Sequence, residues 1–598
     1  MPPPILNLRS FIQQLRKEKE IVDIFEEVDP NLEIAEIHRR VAAAEGPALF
    51  FHRVKGSGFP VVTNLFGSIK RINSAFQNRP DQTIAELVTL LTRDFPPTPS
   101  LLWKKRSLLK KLFSLGTKKQ RRGPVTEVLQ SETNLEKLPL LKTWPLDGGH
   151  FVTLPLVYTE PPTGGPPNLG MYRIQRYDKE NAGLHMQIAK GGGFHYHLAE
   201  KQGIPLPVAV FIGGPPALIL SAITPLPENL SELLIAGLLQ GEKIKLTKTK
   251  LHPYPLISEC EFALLGEALP FERRPEGPFG DHYGYYSLKH DFPVFRLKQI
   301  YHRKDAIYPA TVVGKPKQED FYIGDYLQKL LSPLFPIVMP GVKAIWSYGE
   351  TGFHSLAAAI VKERFYRECM SSCFRILGEG QLSLTKFLLA TDQNVNLQNF
   401  KETLTCILER FEPKTDLFIF SNLSLDTLDY TGPKLNEGSR GVLLGVGEKK
   451  RDLPTSFHGT LPLPITKAAL FCPGCLVIEG PPFTEFADFE RIASHEAFAK
   501  FPLLVLVDDL HKAMKSVDAF LWTTFTRFEP AADIHSKSFS CHRHHLCYEG
   551  PILIDARMKP TYPPEVLPDE KTNDLVLSKW DRYFPQGMEM GESSNAHV

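Results

Sequence analysis

Cysteine is scarce in this 598-residue chain, with eight residues too scattered to form a disulfide framework. A reducing compartment is the expectation. Net charge is almost absent, at +2 from 69 basic and 67 acidic residues, so no global attraction to nucleic acid follows. No apolar run approaches the roughly 20 residues that span a bilayer. The first residues lack a secretory pattern, because Leu8, Phe11, Ile12 and Leu15 recur at helical spacing among Arg9, Gln13, Arg16 and Lys17. A cytoplasmic chain is expected. Proline is plentiful, with 51 residues, and implies many turns and extended connections. The length exceeds what one core supports and predicts about three to four domains.

Residues 1–120 read as a small α/β unit with helices over Arg9–Lys19 and Ile34–Ala44, closed by a basic linker. In that linker, over 101–122, Lys104, Lys105, Arg106, Lys110, Lys111, Lys118, Lys119, Arg121 and Arg122 interleave with leucines and Trp103. A basic amphipathic helix of this kind permits peripheral contact with an anionic membrane. The plainer reading is a solvated helix whose leucines pack on the protein and whose long cationic stems cover apolar surface. Over 121–320, short runs bounded by Gly and Pro (Phe151–Tyr158, Pro207–Ile212, Ala217–Leu220) predict a barrel-like β domain. Helical patterns follow at Asp325–Leu334 and Ala357–Leu377.

The remainder reads as a duplication. Phe387–Asp392 is followed by Phe411-Glu412-Pro413 and Tyr430-Thr431-Gly432-Pro433; Leu504–Asp509 is followed by Phe528-Glu529-Pro530 and Tyr548-Glu549-Gly550-Pro551. Residues 321–460 and 461–598 are therefore expected to be two copies of one strand–helix unit, with Asp392 and Asp509 as turn or cap residues.

Three clusters carry candidate chemistry. Residues 274–286 hold Glu276 and Asp281, five apart and separated by two glycines and a proline, which places them on a rigid loop that a ligand can approach closely. His282, Tyr283 and Tyr285 could wall a planar ligand, although a decorated turn explains the stretch equally well. Asn168, Gly170, Met171, Tyr172 and Arg173 follow a proline-rich loop. Thr224 and Pro225 lead to Asn229 and Ser231, either of which suits the cap of a helix running through Leu239, with Glu232 in its first turn.

The three clusters, in this order and spacing, resemble the UbiD decarboxylases; Ile323-Gly324 and the Lys386–Asp392 strand add to the likeness, which covers roughly residues 5–450. The resemblance implies an α/β (α+β) protein in which a split β-barrel flavin-binding domain is flanked by the small N-terminal unit and the duplicated C-terminal α/β domain. It implies prenylated FMN, supplied by a flavin prenyltransferase, with Mn²⁺ and K⁺ at its phosphate. Asn168 and Glu232 match metal ligands; Gly170, Met171, Tyr172, Arg173, Lys190, Thr224 and Pro225 match cofactor-binding positions. The family's third metal ligand, a histidine, is replaced by Ala189 or Lys190, with His195 and His197 just beyond. Arg173, Glu276 and Asp281 match the catalytic trio: Arg173 grips the substrate carboxylate, Glu276 holds Arg173, and Asp281, kept protonated by burial, returns a proton. The implied substrate is a small aromatic acid, a naphthoate-type menaquinone precursor or a polyprenyl-4-hydroxybenzoate, in quinone biosynthesis, and the implied assembly is a homo-oligomer. A non-catalytic flavin-binding scaffold is the competing reading. Outside the resemblance, Cys472/Cys475 and Cys541/Cys547 with intervening histidines suggest a structural zinc site or buried thiols.

Overall fold

The computed structural model describes residues 3–93, 98, 100, 103, 106, 108, 111, 113–187, 190–226, 230–315 and 317–593. The chain divides into two compact units, one of Met1–Leu330 with Glu565–Asn595 and one of Leu331–Pro564.

In the first unit, Asn7 caps the helix Leu8–Glu18 by accepting from the Ser10 amide, and Leu8, Phe11, Ile12 and Leu15 form its buried face. Each such apolar side chain contributes about 1.5–3 kcal/mol on burial. A four-stranded sheet runs Ile21–Val28, Ala48–Val54, Val61–Thr63 and Tyr308–Pro309. Its last strand comes from the end of the central domain, so one apolar core spans both layers. The terminal helix Glu570–Tyr583 returns to this unit, where Lys579 and Tyr583 both reach the buried Glu33.

The central sheet has nine strands, all paired antiparallel, in the order Phe151–Val152, Ile174–Arg176, Asn181–Leu184, His290–His302, Phe262–Glu276, Leu206–Ile212, Pro155–Thr159 and Asn168–Gly170, with Val128–Leu129 on the edge of His290–His302. Among the described residues the two ends of this path do not pair, so the sheet is open. The ribbon formed by Phe262–Glu276 and His290–His302 is its longest pairing, and residues 277–289 are its tip.

Three segments differ from the sequence expectation. Ala217–Leu220 lies in the helix Pro216–Ile223, not a strand; an apolar run without period fits either element. Ala357–Leu377 splits into the strand Leu356–Val361, fully buried between neighbours, and the helix Glu368–Gly378. Most of 101–112 lies outside the described residues, but Thr117–Gln120 is a strand pairing in parallel with Ile244–Thr247, so the basic helix does not extend through Lys118 and Lys119. No helix among the described residues is long and apolar enough to cross a membrane.

The second unit contains two five-stranded sheets. The first is ordered Val342–Ser347, Leu356–Val361, Phe387–Thr391, Glu437–Gly445, Leu417–Ser424; the second is ordered Lys467–Cys472, Cys475–Glu479, Leu503–Val507, Ile552–Asp555, Ile534–His535. Both read antiparallel, parallel, parallel, antiparallel along that order. The two share one core that includes Phe387, Phe400, Phe411, Phe471, Phe520 and Phe528. The zinc alternative finds no support, since no group of three or more His, Cys, Asp or Glu among the described residues could hold a metal; the buried-thiol reading holds for Cys472 and Cys475, whereas Cys541 is exposed. Cys541 pairs with Leu546 and Cys547 with Ser540 across a tight hairpin, so alternation along the strands sends the two thiols to opposite faces. Cys472 and Cys475 pair directly in their own hairpin and are buried.

Candidate active site

Arg173 lies one residue before the strand Ile174–Arg176, and the ribbon tip brings Glu276 and Asp281 to it from more than a hundred residues away. The guanidinium donates to both Glu276 oxygens, from Nε at 2.8 Å and from Nη2 at 3.0 Å. Nη1 donates to Asp281, and Nη2 also to the Ser287 hydroxyl at 2.9 Å. Its plane lies 4.7 Å from the Phe279 ring centre. All three charged residues are buried, Glu276 completely so. One cation therefore faces two carboxylates in a dry setting, where such bonds are strong and fix geometry.

The tip is held rigidly. The Gly277 amide donates to Gln175 at 2.7 Å, and the Gly280 amide donates to Asp147 at 2.8 Å, whose other oxygen accepts from Thr143 and Trp144. Gly277 adopts φ +93°, a left-handed value that favours glycine, and Gly148 packs so closely that a Cβ there would stand 2.3 Å from the Gly277 carbonyl oxygen.

Electrostatics at the trio depart from the sequence expectation in one respect. Burial opposes ionisation of Glu276, yet the Arg173 charge and the hydrogen bonds from His185 and Arg173 lower its pKa from 4.5 to about 2. Burial likewise opposes ionisation of Asp281, but the His282 hydrogen bond at 2.7 Å and the Arg173 charge hold it well below the usual carboxylate range. Asp281 is thus a carboxylate in this arrangement, not the protonated acid that burial alone would make it. Burial, then Arg173, lowers the pKa of His185. His185, bonded to Glu276 at 3.2 Å, and Ser287 complete the network. Neither stands in a recognisable motif, so spacing could not single them out.

A second cluster forms at the other end of the Asn168–Gly170 strand. Glu232, in the first turn of the helix Glu232–Gln240 capped by Ser231, accepts from the Asn168 amide at 3.0 Å and the Leu169 backbone at 2.9 Å. Burial raises its pKa, the backbone bond partly opposing. Tyr172 donates to Asn168 Oδ1 at 2.9 Å and accepts from the Gly192 amide at 3.2 Å. Gly170 lies against the Tyr172 ring, and Gly191 lies so close to Asn168 that a Cβ would stand 2.8 Å from its amide carbon. Lys190 is the N-cap of the helix Gly191–Gln202, whose first turn is Gly191-Gly192-Gly193. This is the segment that the resemblance sets at the family's metal histidine, Ala189 itself lying outside the described residues. His195 is engaged elsewhere: its Nδ1 bonds the buried Thr159 hydroxyl at 2.9 Å, and burial lowers its pKa to about 4. His197, two residues on, is half-buried. Thr224 closes the helix Pro216–Ile223 by bonding the Leu220 carbonyl, and Pro225 follows it; Met171 is half-buried between Gly170 and Tyr172.

Domain descriptions of 3-octaprenyl-4-hydroxybenzoate carboxy-lyase match the chain in order: the N-terminal domain over 12–91, the Rift-related domain over 117–316 and the C-terminal domain over 321–445. A Chlamydia pneumoniae protein named as one subunit of a 4-hydroxybenzoate decarboxylase is 54% identical over 580 residues, 97% of this chain and 98% of its own. An uncharacterised Archaeoglobus fulgidus protein is 37% identical over 427 residues, 71% of this chain and 88% of its own. Among solved structures, Sedimentibacter hydroxybenzoicus vanillic acid decarboxylase in its closed form aligns with TM-score 0.64 at 25% identity, over 77% of this chain and 96% of that one. The UbiD-class enzyme HmfF from Pelotomaculum thermopropionicum, in complex with FMN, shares the fold with TM-score 0.61 at 21% identity, over 77% and 97%. Three domain matches in sequence order and a full-length relative at this identity leave one assignment: the chain belongs to the UbiD family of carboxy-lyases.

Proposed function

We propose that the protein removes CO₂ without oxidation from an aromatic carboxylic acid, a hydroxybenzoate or naphthoate-type quinone precursor, using prenylated FMN supplied by a flavin prenyltransferase. The observation that carries this reading is a single buried guanidinium shared between two carboxylates on a rigid loop. An incoming substrate carboxylate competes with Asp281 for Arg173, while Glu276, bonded through both oxygens, keeps the guanidinium aimed. Asp281 then loses one of the two groups that hold it ionised; its burial favours the neutral form, and it takes up a proton. When CO₂ leaves, Asp281 returns that proton to the ring carbon, so one carboxylate and one proton become one C–H bond and CO₂. Prenylated FMN supplies the electron sink that such a carbanion requires.

The residues fit the cofactor's phosphate. The Gly191–Gln202 helix start, apart from the Gly192 amide that donates to Tyr172, and the Lys190 position suit an anion, and Asn168 and Glu232 offer hard oxygen ligands for a cation beside it. The fit to a divalent metal is incomplete, because His195 is committed to Thr159. We assign Lys190 to the phosphate directly, in place of the third metal ligand, with Mn²⁺ and K⁺ in a lesser role. The same commitment of His195 favours the scaffold reading as the alternative. The test is to co-express the chain with a flavin prenyltransferase, identify the released cofactor by mass, and screen 4-hydroxybenzoate, vanillate and naphthoates for CO₂. Cofactor-loaded protein that releases CO₂ from none of them overturns the catalytic reading.

A further inference from the structure

The two sheets of the second unit correspond strand by strand, and their pairing register sets the equivalence residue by residue. Phe387 pairs with Gly441 and Leu503 with Ile552, which makes Phe387 equivalent to Leu503 and Gly441 to Ile552. Leu417 pairs with Leu443 and Ile534 with Ile554, which makes those two pairs equivalent. From Leu417 the chain runs back six residues to Phe411, and from Ile534 six residues to Phe528, so the two Phe-Glu-Pro segments also correspond. This register is one residue away from the sequence alignment of the two strands. The shift is required because the side chains facing the common core must alternate in phase.

Equivalent residues of the two copies line one common space. A small apolar cavity lies between the sheets, lined by Leu408 and its counterpart Phe525, Leu417 and its counterpart Ile534, Leu443 and its counterpart Ile554. Phe528 of the second copy packs edge-on against Phe387 of the first, with centroids 5.4 Å apart, and Phe411 of the first lines the cavity beside Leu503 of the second. The helix Val517–Thr526 packs on the Gly349–Thr351 turn of the first copy; the corresponding helix Phe400–Leu408 packs on Lys467–Cys472 of the second, where Phe400 and Phe471 lie 6.0 Å apart. The same patch on both partners, with several of its contacts answered by equivalent ones, is the pattern of an isologous two-fold interface.

We propose that the Leu331–Pro564 unit is a covalently joined pseudo-dimer, in which the second copy occupies in cis the self-complementary face through which the first would pair with a second chain. The copies have diverged as this requires. The first keeps a buried ion pair, Lys386 with Asp429 at 2.8 Å; at the position equivalent to Lys386 the second has Pro502, which cannot carry a charge. The second copy is a structural partner that has shed that polar group. The match to the C-terminal domain description ends at residue 445, before the second copy starts.

The full-length chain carrying Cys541→Ser and Cys547→Ser provides the background for the test. Lys414→Cys with Glu549→Cys replaces an exposed ion pair that joins the two copies, with its charged atoms 3.2 Å apart. Phe418→Cys with His545→Cys replaces a second junction, where two half-exposed rings, one from each copy, lie with centroids 4.9 Å apart. After treatment with a short bis-maleimide at dilute protein, each pair should give a cross-link at the 67.4 kDa single-chain mass, with the two segments joined in one tryptic peptide. Cross-links at twice that mass would show the copies pairing between chains and overturn the proposal. Failure of both pairs to cross-link would overturn it as well. The outcome does not depend on whether the chain is a decarboxylase.

Discussion

Glu276→Gln isolates the electrostatic work done at the trio. The substitution keeps the side-chain shape and removes a charge that is completely buried and bonded to Arg173 through both oxygens. The site lowers the Glu276 pKa from 4.5 to about 2, with burial opposing and Arg173 the largest favourable cause. At about 1.4 kcal/mol per tenfold change in acidity, the native site favours the charged form by about 3 kcal/mol. This matches the low end of the 3–5 kcal/mol typical for breaking a buried ion pair, as expected when Asp281 remains to neutralise Arg173. A pKa lowered on folding contributes stability that is complete above about 4.5 and is lost as pH falls towards about 2. Hydrogen-exchange mass spectrometry on peptides covering 168–185 and 276–290 should therefore show exchange on the order of a hundredfold faster in the variant near neutral pH. The ratio should narrow as pH falls below about 4.5. Unchanged exchange in both peptides, or a ratio that widens on acidification, would refute the reasoning.

Asp281→Asn should lower kcat by about 10²–10⁴-fold with flavin retention unaltered, measured as CO₂ release from cofactor-loaded protein; a variant with more than a tenth of wild-type turnover contradicts the proton-donor role. His282→Phe removes the hydrogen bond that does most to keep Asp281 ionised, so the limb of the pH–rate profile that requires protonated Asp281 should move to higher pH. A limb that stays in place, or moves to lower pH, would show that His282 does not control that proton. Lys190→Gln should weaken FMN binding by on the order of tenfold, the loss of one charge-assisted hydrogen bond, in a fluorescence titration; equal affinity would remove Lys190 from the phosphate site.

The sequence disclosed these features unevenly. The helix Leu8–Glu18 is readable because an amphipathic stripe at the surface of a domain has one possible period, and Glu33–Ala43 shows the same apolar period although it is buried almost all round, with Arg39 paired to Glu36. Arg173, Glu276 and Asp281 were readable through their motif, although nothing in their spacing predicts that a ribbon tip would fold them together. Buried segments are ambiguous: Ala217–Leu220 and Ala357–Ala359 are apolar on all sides, so periodicity cannot tell helix from strand, and the structure makes the first a helix and the second a strand. Cys541 and Cys547 look like a cluster in sequence because linear proximity says nothing about which face of a hairpin each occupies. Burial alone favours a neutral Asp281, whereas the neighbouring His282 ring at 2.7 Å, which helps hold it ionised, is a matter of rotamer and backbone. His185, Ser287 and Gln175 carry no signal except their contacts.

The tandem arrangement of the two sheets also changes how the second unit is made. Two separate protomers must find each other by diffusion, typically at 10⁵–10⁷ M⁻¹s⁻¹, and remain exposed along their unpaired faces until they do. Here the segment between Gly445 and Lys467 turns that encounter into loop closure, whose entropic cost grows only slowly with length. The apolar face bearing Phe387, Leu417 and Leu443 needs no partner from solution; it is covered as soon as the ribosome has released the strand Ile552–Asp555. The hazard moves accordingly, from failure to assemble at low abundance to exchange of whole copies between crowded nascent chains.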